Sequence, residues 1–214
     1  TVVNLAIAND WMHKNPFAGI RFQEKEVIRE VLTKEEIERM MCKEFALPRL
    51  EYVRDVFIFC VFTGMAYVDV NNLRQEHIVR DNNDDLWIRK ARQKTNNMCN
   101  IPLLKIPQLL MEKYKNHPLC TKTGALLPVP SNQKMNSYLK EIADFCGIQK
   151  NLTTHTARHT FATVVALANG VSMENIAKML GHSDIRMTQR YAKVMDSSIM
   201  RDMENVDKLF KSSE

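Results

Sequence analysis

The pattern of apolar positions is helical toward both ends of the chain and strand-like between them. Val2, Val3, Leu5, Ala6 and Ala8 to Trp11 suit a short amphipathic helix, which Pro16 ends by holding Asn15 away from helical geometry. A lone helix this short cannot bury its apolar face. Residues 1–15 are therefore expected to be the last helix of an upstream domain, and 16–31 a linker. Thr33-Lys34-Glu35-Glu36 is a capping box that predicts a helix from 34 to about 45. Pro48 breaks the chain, and the next helix runs through 52–62. Its centre, Val56-Phe57-Ile58-Phe59-Cys60-Val61-Phe62, is apolar on every side, the mark of a helix buried all round. Thr63-Gly64 ends it, and a short helix follows at about 67–73.

The period then changes. Segments 77–80, 86–91 and 99–103 are short strands separated by Asp81-Asn82-Asn83-Asp84 and Gln93-Lys94-Thr95-Asn96-Asn97. They make an antiparallel meander with Lys94 in its second turn. Helices are predicted at 108–115 and 131–146, the second closed by Gly147, with a loop at 119–130. A helix opening near Thr154 carries Phe161, Val164, Val165 and Ala168 on one stripe and stops at Asn169-Gly170. Ser172 caps the next, which ends at Gly181, and Ser183 caps the one leading to Tyr191. A last amphipathic helix after Ser197 carries Ile199, Met203, Val206, Leu209 and Phe210. The expected fold is mainly α with a small three-stranded antiparallel sheet (α+β), filling 32–214.

Composition agrees with this picture and narrows the function classes. At 214 residues, 45% of them apolar and only six of them glycine, the chain can hold one full helical domain and a fragment of another. It contains no 18-residue apolar run and no charged-then-apolar leader, so neither a membrane span nor a signal peptide is expected. Five scattered cysteines without a Cys-x-x-Cys pair fit a reducing cytoplasm, with Cys42, Cys60 and Cys146 as small buried hydrophobes and no metal site. A net charge of +5 permits nucleic-acid binding without demanding it.

Candidate chemistry concentrates between Leu152 and Val194. His155 and Arg158, three apart on one helix, share a neighbouring surface. His182 follows a helix end and Tyr191 comes late in the next helix. Hydrogen-bond donors, a cation and a phenolic nucleophile are the groups that transfer of a phosphodiester requires. The basic turn Lys90, Arg92, Lys94 and the cluster from Lys150 to Thr154, with Thr153 inside it, suit either a solvated face or contacts to backbone phosphates, which position DNA without reading its sequence.

These motifs resemble a known family. His155-Thr156-Ala157-Arg158-His159-Thr160-Phe161-Ala162-Thr163, then Leu180-Gly181-His182-Ser183, then Thr188-Gln189-Arg190-Tyr191, are similar in order and spacing to the boxes of the tyrosine recombinases, or phage-type integrases. Thr63-Gly64-Met65 and the helix to Leu73 look like that family's first box, and Lys94 sits where it keeps an active-site lysine. Asn15-Pro16-Phe17-Ala18 and Thr63-Gly64-Met65-Ala66-Tyr67-Val68-Asp69 particularly resemble members from mobile elements of the Bacteroides group.

The resemblance implies a site-specific DNA recombinase that works through a 3′-phosphotyrosine, without metal, ATP or another cofactor. By this reading Tyr191 attacks the scissile phosphorus and Arg158 and His182 hold its non-bridging oxygens. His155 hydrogen-bonds the phosphate or takes the phenol proton, and Lys94 protonates the departing 5′-oxygen. Asp69 orients a basic partner, and His159 is a packing group. Residues 1–15 become the end of a core-binding domain. The implied partner is double-stranded DNA, bound as a homotetramer by a chain that is monomeric when free, with accessory DNA-bending proteins possible. One position departs: the family's usual arginine after Thr63-Gly64-Met65 is Ala66 here. Arg54 is the first candidate to replace it, although twelve residues of helix would span about 18 Å, and Arg74 and Arg92 follow. Two rivals stay open, a DNA-binding protein of this fold that has lost the chemistry and a type IB topoisomerase.

Overall fold

The computed structural model of the chain describes residues 2–20 and 30–192. Helix α1 (Val2–Ala8) buries none of its residues. Helix α2 (Lys34–Cys42) starts on the expected capping box, the Thr33 hydroxyl accepting the Glu36 N–H and the Glu36 carboxylate accepting that of Thr33. Helix α3 (Pro48–Thr63) begins at its proline, whose fixed φ and missing N–H suit a first helical turn. Every residue from Val53 to Val61 is buried, and α3 is the axis of the fold, packing on α2, α5 (Lys105–Tyr114), α7 (Asn132–Phe145) and α8 (Thr154–Thr160). Phe57 and Phe59, both fully buried, each contribute roughly 2–3 kcal/mol through apolar burial.

After the short helix α4 (Tyr67–Asn71), strands β1 (Ile78–Arg80), β2 (Leu86–Ala91) and β3 (Met98–Pro102) form the expected antiparallel sheet in the order β1-β2-β3. Ile78 faces Ile88 and Ile88 faces Ile101, which puts this row of side chains against the core. Pairing of Ala91 with Met98 leaves residues 92–97 as the second turn. Backbone bonds from Arg92 N to Asn97 O (2.9 Å) and from Asn96 N to Arg92 O (2.8 Å) close that turn.

Two elements differ from the sequence pattern. The expected loop at 119–130 opens with a helix, α6 (Pro118–Thr123), because Pro118 suits its first turn and Gly124 closes it. Beyond α8 the chain continues as a π-helical stretch (Phe161–Ala166) and a 3-10 turn (Leu167–Asn169). Hydrogen bonding to i+5 rotates the inward face. Ala162, Thr163 and Ala166 are buried, whereas Val164, Val165 and Ala168 are half-buried.

Helix α9 (Met173–Leu180) lies on β3, and α10 (Arg186–Ala192) lies on both α9 and the π-helical stretch. The N–H of Arg186 at the start of α10 is taken by the Asp184 carboxylate rather than by Ser183. The amphipathic helix expected after Ser197 lies outside the described residues. Among those described, no helix is long and apolar enough to cross a membrane.

Candidate active site

Arg158 joins three elements. It sits on the inward side of α8, a helix started by mutual capping of Thr153 and Thr156, and only 6% of its surface is exposed. Its Nη1 donates to the Gly64 carbonyl (2.6 Å), and its Nη2 to the Leu180 carbonyl (2.6 Å) and toward His182 Nε2 (3.3 Å). Both carbonyls belong to helix C-termini, where unpaired C=O groups and the negative end of the helix dipole favour a cation. Gly64 and Gly181 end α3 and α9 at φ 67° and 60°. A Cβ on Gly64 would run into the Phe161 ring and the Leu180 side chain, so the close approach of these helices also requires glycine. Burial first, and the nearby Arg92 second, pull the pKa of Arg158 below the usual guanidinium range, while Tyr191, Cys99 and Asp69 act the other way.

His182 lies just past α9. Its ring stacks on Tyr191 (centroids 6.3 Å apart, 11° between planes), and its Nδ1 is 2.8 Å from the buried Thr188 hydroxyl. Burial, then Arg158, Arg92 and His159, push its pKa down to about 4, so the imidazole is neutral at neutral pH. With Nε2 accepting from Arg158, the proton resides on Nδ1 and is donated to Thr188.

Tyr191, 8% exposed, packs on α10 into an apolar cluster with Phe161, Ala162, Ala166, Ile176 and Leu180. The His159 ring lies 5.2 Å from the Tyr191 ring, and the exposed His155 ring 6.3 Å from that of His159. His159, read from sequence as packing, is thus the histidine of α8 beside the tyrosine. Its i+4 spacing from His155 was the available signal.

The remaining candidates separate. Arg92 reaches the group: its side chain is 11% exposed, with Nε 3.8 Å from Asp69 Oδ2 and Nη1 3.5 Å from the Gly181 carbonyl. Lys90 lines a narrow cleft with Asp69, Arg92, Cys99 and Arg158, its ammonium 3.1 Å from His77 Nε2. Lys94 stands exposed in the β2–β3 turn. Lys150 is held at 2.6 Å by Glu36, and the Thr153 hydroxyl is used in capping α8.

Arg54 is not brought to the site. Its guanidinium closes the C-terminal end of α2, donating to the carbonyls of Met40, Met41 and Lys43 and to Asp55. It lies ten residues along α3 from Gly64, about 15 Å by helical rise. The continuous helix keeps these positions apart, so the expectation that Arg54 stands in at Ala66 is corrected.

A buried arginine between two helix ends, a neutral histidine beside it and a tyrosine stacked on that histidine define a class. Residues 30–198 match the phage integrase family, and the chain belongs to this family of tyrosine recombinases. Among particular relatives, the tyrosine recombinase XerD of Staphylococcus saprophyticus subsp. saprophyticus is 40% identical over 95 residues, 44% of this chain and 31% of that protein. The match thus spans about a third of the relative's length. Solved structures share the fold. The XerA recombinase superposes with a TM-score of 0.62 at 23% identity, over 86% of this chain and 66% of that one. The Tn1549 transposon integrase in complex with circular intermediate DNA gives 0.67 at 16% identity, over 94% of this chain and 74% of that one.

Proposed function

We propose that the chain carries the catalytic domain of a site-specific DNA recombinase that cleaves and rejoins strands through a 3′-phosphotyrosine, in integration or excision of a mobile element. The observation that carries this reading is the convergence of Arg158, His182 and Tyr191 from three helices. Three N–H donors of Arg158 are engaged within the protein, and a guanidinium carries five in all, so that a phosphate would be met by the remainder.

The Tyr191 oxygen forms a bond to phosphorus as the bond from phosphorus to O5′ breaks. The phenol proton goes to a histidine, assigned to His155 by way of the neighbouring ring of His159, and the O5′ proton comes from Lys94. In net terms one proton moves from phenol to the 5′-hydroxyl. The bond energy stays in the phosphotyrosine, so religation draws on no ATP. His182 presents Nε2 as an acceptor before DNA binds. A phosphate anion beside it favours a proton on that nitrogen, turning it into a donor to a non-bridging oxygen.

Residues 1–15 are read as the end of a core-binding domain and 16–31 as the linker, so that two domains hold double-stranded DNA. Cleavage of four strands calls for four copies on the DNA.

The test incubates the protein with nicked genomic fragments and isolates strands that stay attached to it in denaturant, whose sequences then give the cognate site. Wild type is expected to give an adduct that survives denaturant, and Tyr191→Phe none. Retained DNA binding with no adduct from the wild-type protein would favour the DNA-binding rival instead, and relaxation of supercoils without site preference would favour the topoisomerase.

A further inference from the structure

We propose that Arg92 is the second guanidinium of the phosphate site, supplying from the β2–β3 turn the charge that Ala66 cannot. This rests on the phosphotyrosine reading and adds a residue to it.

Position is the first ground. Arg92 directly follows β2, and its backbone is tied on both sides of the turn by bonds to Asn97 and Asn96. Neighbouring bonds anchor the turn as a whole, from Gln93 N to Asp69 Oδ1 (3.0 Å) and from Asn97 Nδ2 to the Gly181 carbonyl (3.2 Å). The side chain crosses Gly181 so closely that a Cβ there would lie 2.7 Å from Arg92 Cδ and 2.8 Å from Cys99 Sγ. Its Nη1 points to the Gly181 carbonyl, next in sequence to the Leu180 carbonyl that holds Arg158. Two guanidiniums thus share the C-terminal end of α9, on the two successive carbonyls that precede His182.

The charge inventory is the second ground. Among the described residues, Lys90, Arg92 and Arg158 line one cleft in which Asp69 is the sole carboxylate. Asp69 is divided between the Gln93 N–H and Arg92, and the latter contact is long at 3.8 Å. Among the described residues, Arg92 Nε is left buried without a hydrogen-bond partner. A buried donor of a cation is costly to leave unmet, and concentrating like charge is costly as well. An anion with two non-bridging oxygens resolves both. A phosphodiester gains charge on those oxygens as phosphorus becomes pentacoordinate, when two guanidiniums bind it most strongly.

The other arginines named for this role are occupied elsewhere. Arg74 donates to the carbonyls of Asn71 (3.0 Å) and Leu73 (3.1 Å), and Arg54 closes α2.

Charge at the scissile phosphate separates phosphate contact from mere support. Cleavage is read as release of the 5′-hydroxyl strand, on the cognate duplex and on one whose scissile phosphate is a methylphosphonate, which lacks one anionic oxygen. Arg92→Ala is expected to cleave the diester roughly 100-fold more slowly than wild type, yet to cleave the methylphosphonate within about tenfold of the wild-type rate on that same substrate. Arg92→Lys, which keeps the charge and the stem, is expected to retain the wild-type melting curve and fall between the two on the diester. Equal loss on both substrates for Arg92→Ala and Arg92→Lys would overturn the proposal in favour of a structural role, as would wild-type diester cleavage by Arg92→Ala. Failure of wild type to cleave either duplex would instead count against the recombinase reading itself.

Discussion

Replacing Arg54 by alanine removes a guanidinium that is 8% exposed and holds the carbonyls of Met40, Met41 and Lys43 at 2.9, 3.0 and 2.8 Å. Those carbonyls end α2, where no helical N–H can reach them. The variant also withdraws a cation from Asp55, which is 3% exposed. That carboxylate keeps Lys113 Nζ and the Tyr114 hydroxyl, each at 2.7 Å, so it is not orphaned. The loss should therefore fall below the 3–5 kcal/mol of a buried charge left alone. It should exceed the ~1 kcal/mol of one ordinary hydrogen bond. About 2–3 kcal/mol is expected, which lowers the melting temperature by roughly 5–10 °C in a domain of this size. Urea and thermal unfolding followed by circular dichroism measure it. Below its melting temperature the variant should still form the covalent DNA adduct. Unchanged unfolding together with loss of the adduct would refute the account, because Arg54 would then be acting at the phosphate rather than at α2.

Two further expectations follow from buried titrating groups. The pKa of His182 in the folded chain, about 4, lies below its ordinary 6.5. As pH falls from about 6.5 toward 4 the unfolded chain takes up the proton first, so this contribution to stability is complete above 6.5 and is lost on acidification. Urea midpoints of wild type should consequently fall more steeply between pH 7 and pH 4 than those of His182→Gln, and parallel curves would refute the burial of a neutral imidazole. Burial raises the Cys60 thiol to about 12 while Cys42 is exposed. Brief iodoacetamide treatment of native protein at pH 8, mapped by mass spectrometry, should label Cys42 and spare Cys60 until denaturant is added.

Local physics made much of the fold legible from the chain alone. The Thr33 capping box, glycine stops after α3 and α9, the apolar run inside α3 and the two polar turns of the meander all act over a few residues. The motifs around Arg158, His182 and Tyr191 were equally legible, since their order and spacing survive without knowledge of packing. The π-helical stretch after α8 was not, because its register answers to neighbours on α3 and α10 rather than to its own apolar period.

The arginine question shows the same division most clearly. Arg54, Arg74 and Arg92 are alike as residues in a sequence, three cations on long, flexible stems. What separates them is which acceptors the folded chain places within reach: the end of α2 for Arg54, the end of α4 for Arg74, and for Arg92 the end of α9 beside Arg158. Lys150 and Thr153 went to Glu36 and Thr156 for the same reason. Sequence by itself determined most of the helix stops and the order and spacing of the three boxes. Only the tertiary structure decided where each remaining charge is spent, because a side chain's partners across the fold are set by packing and not by its neighbours along the chain.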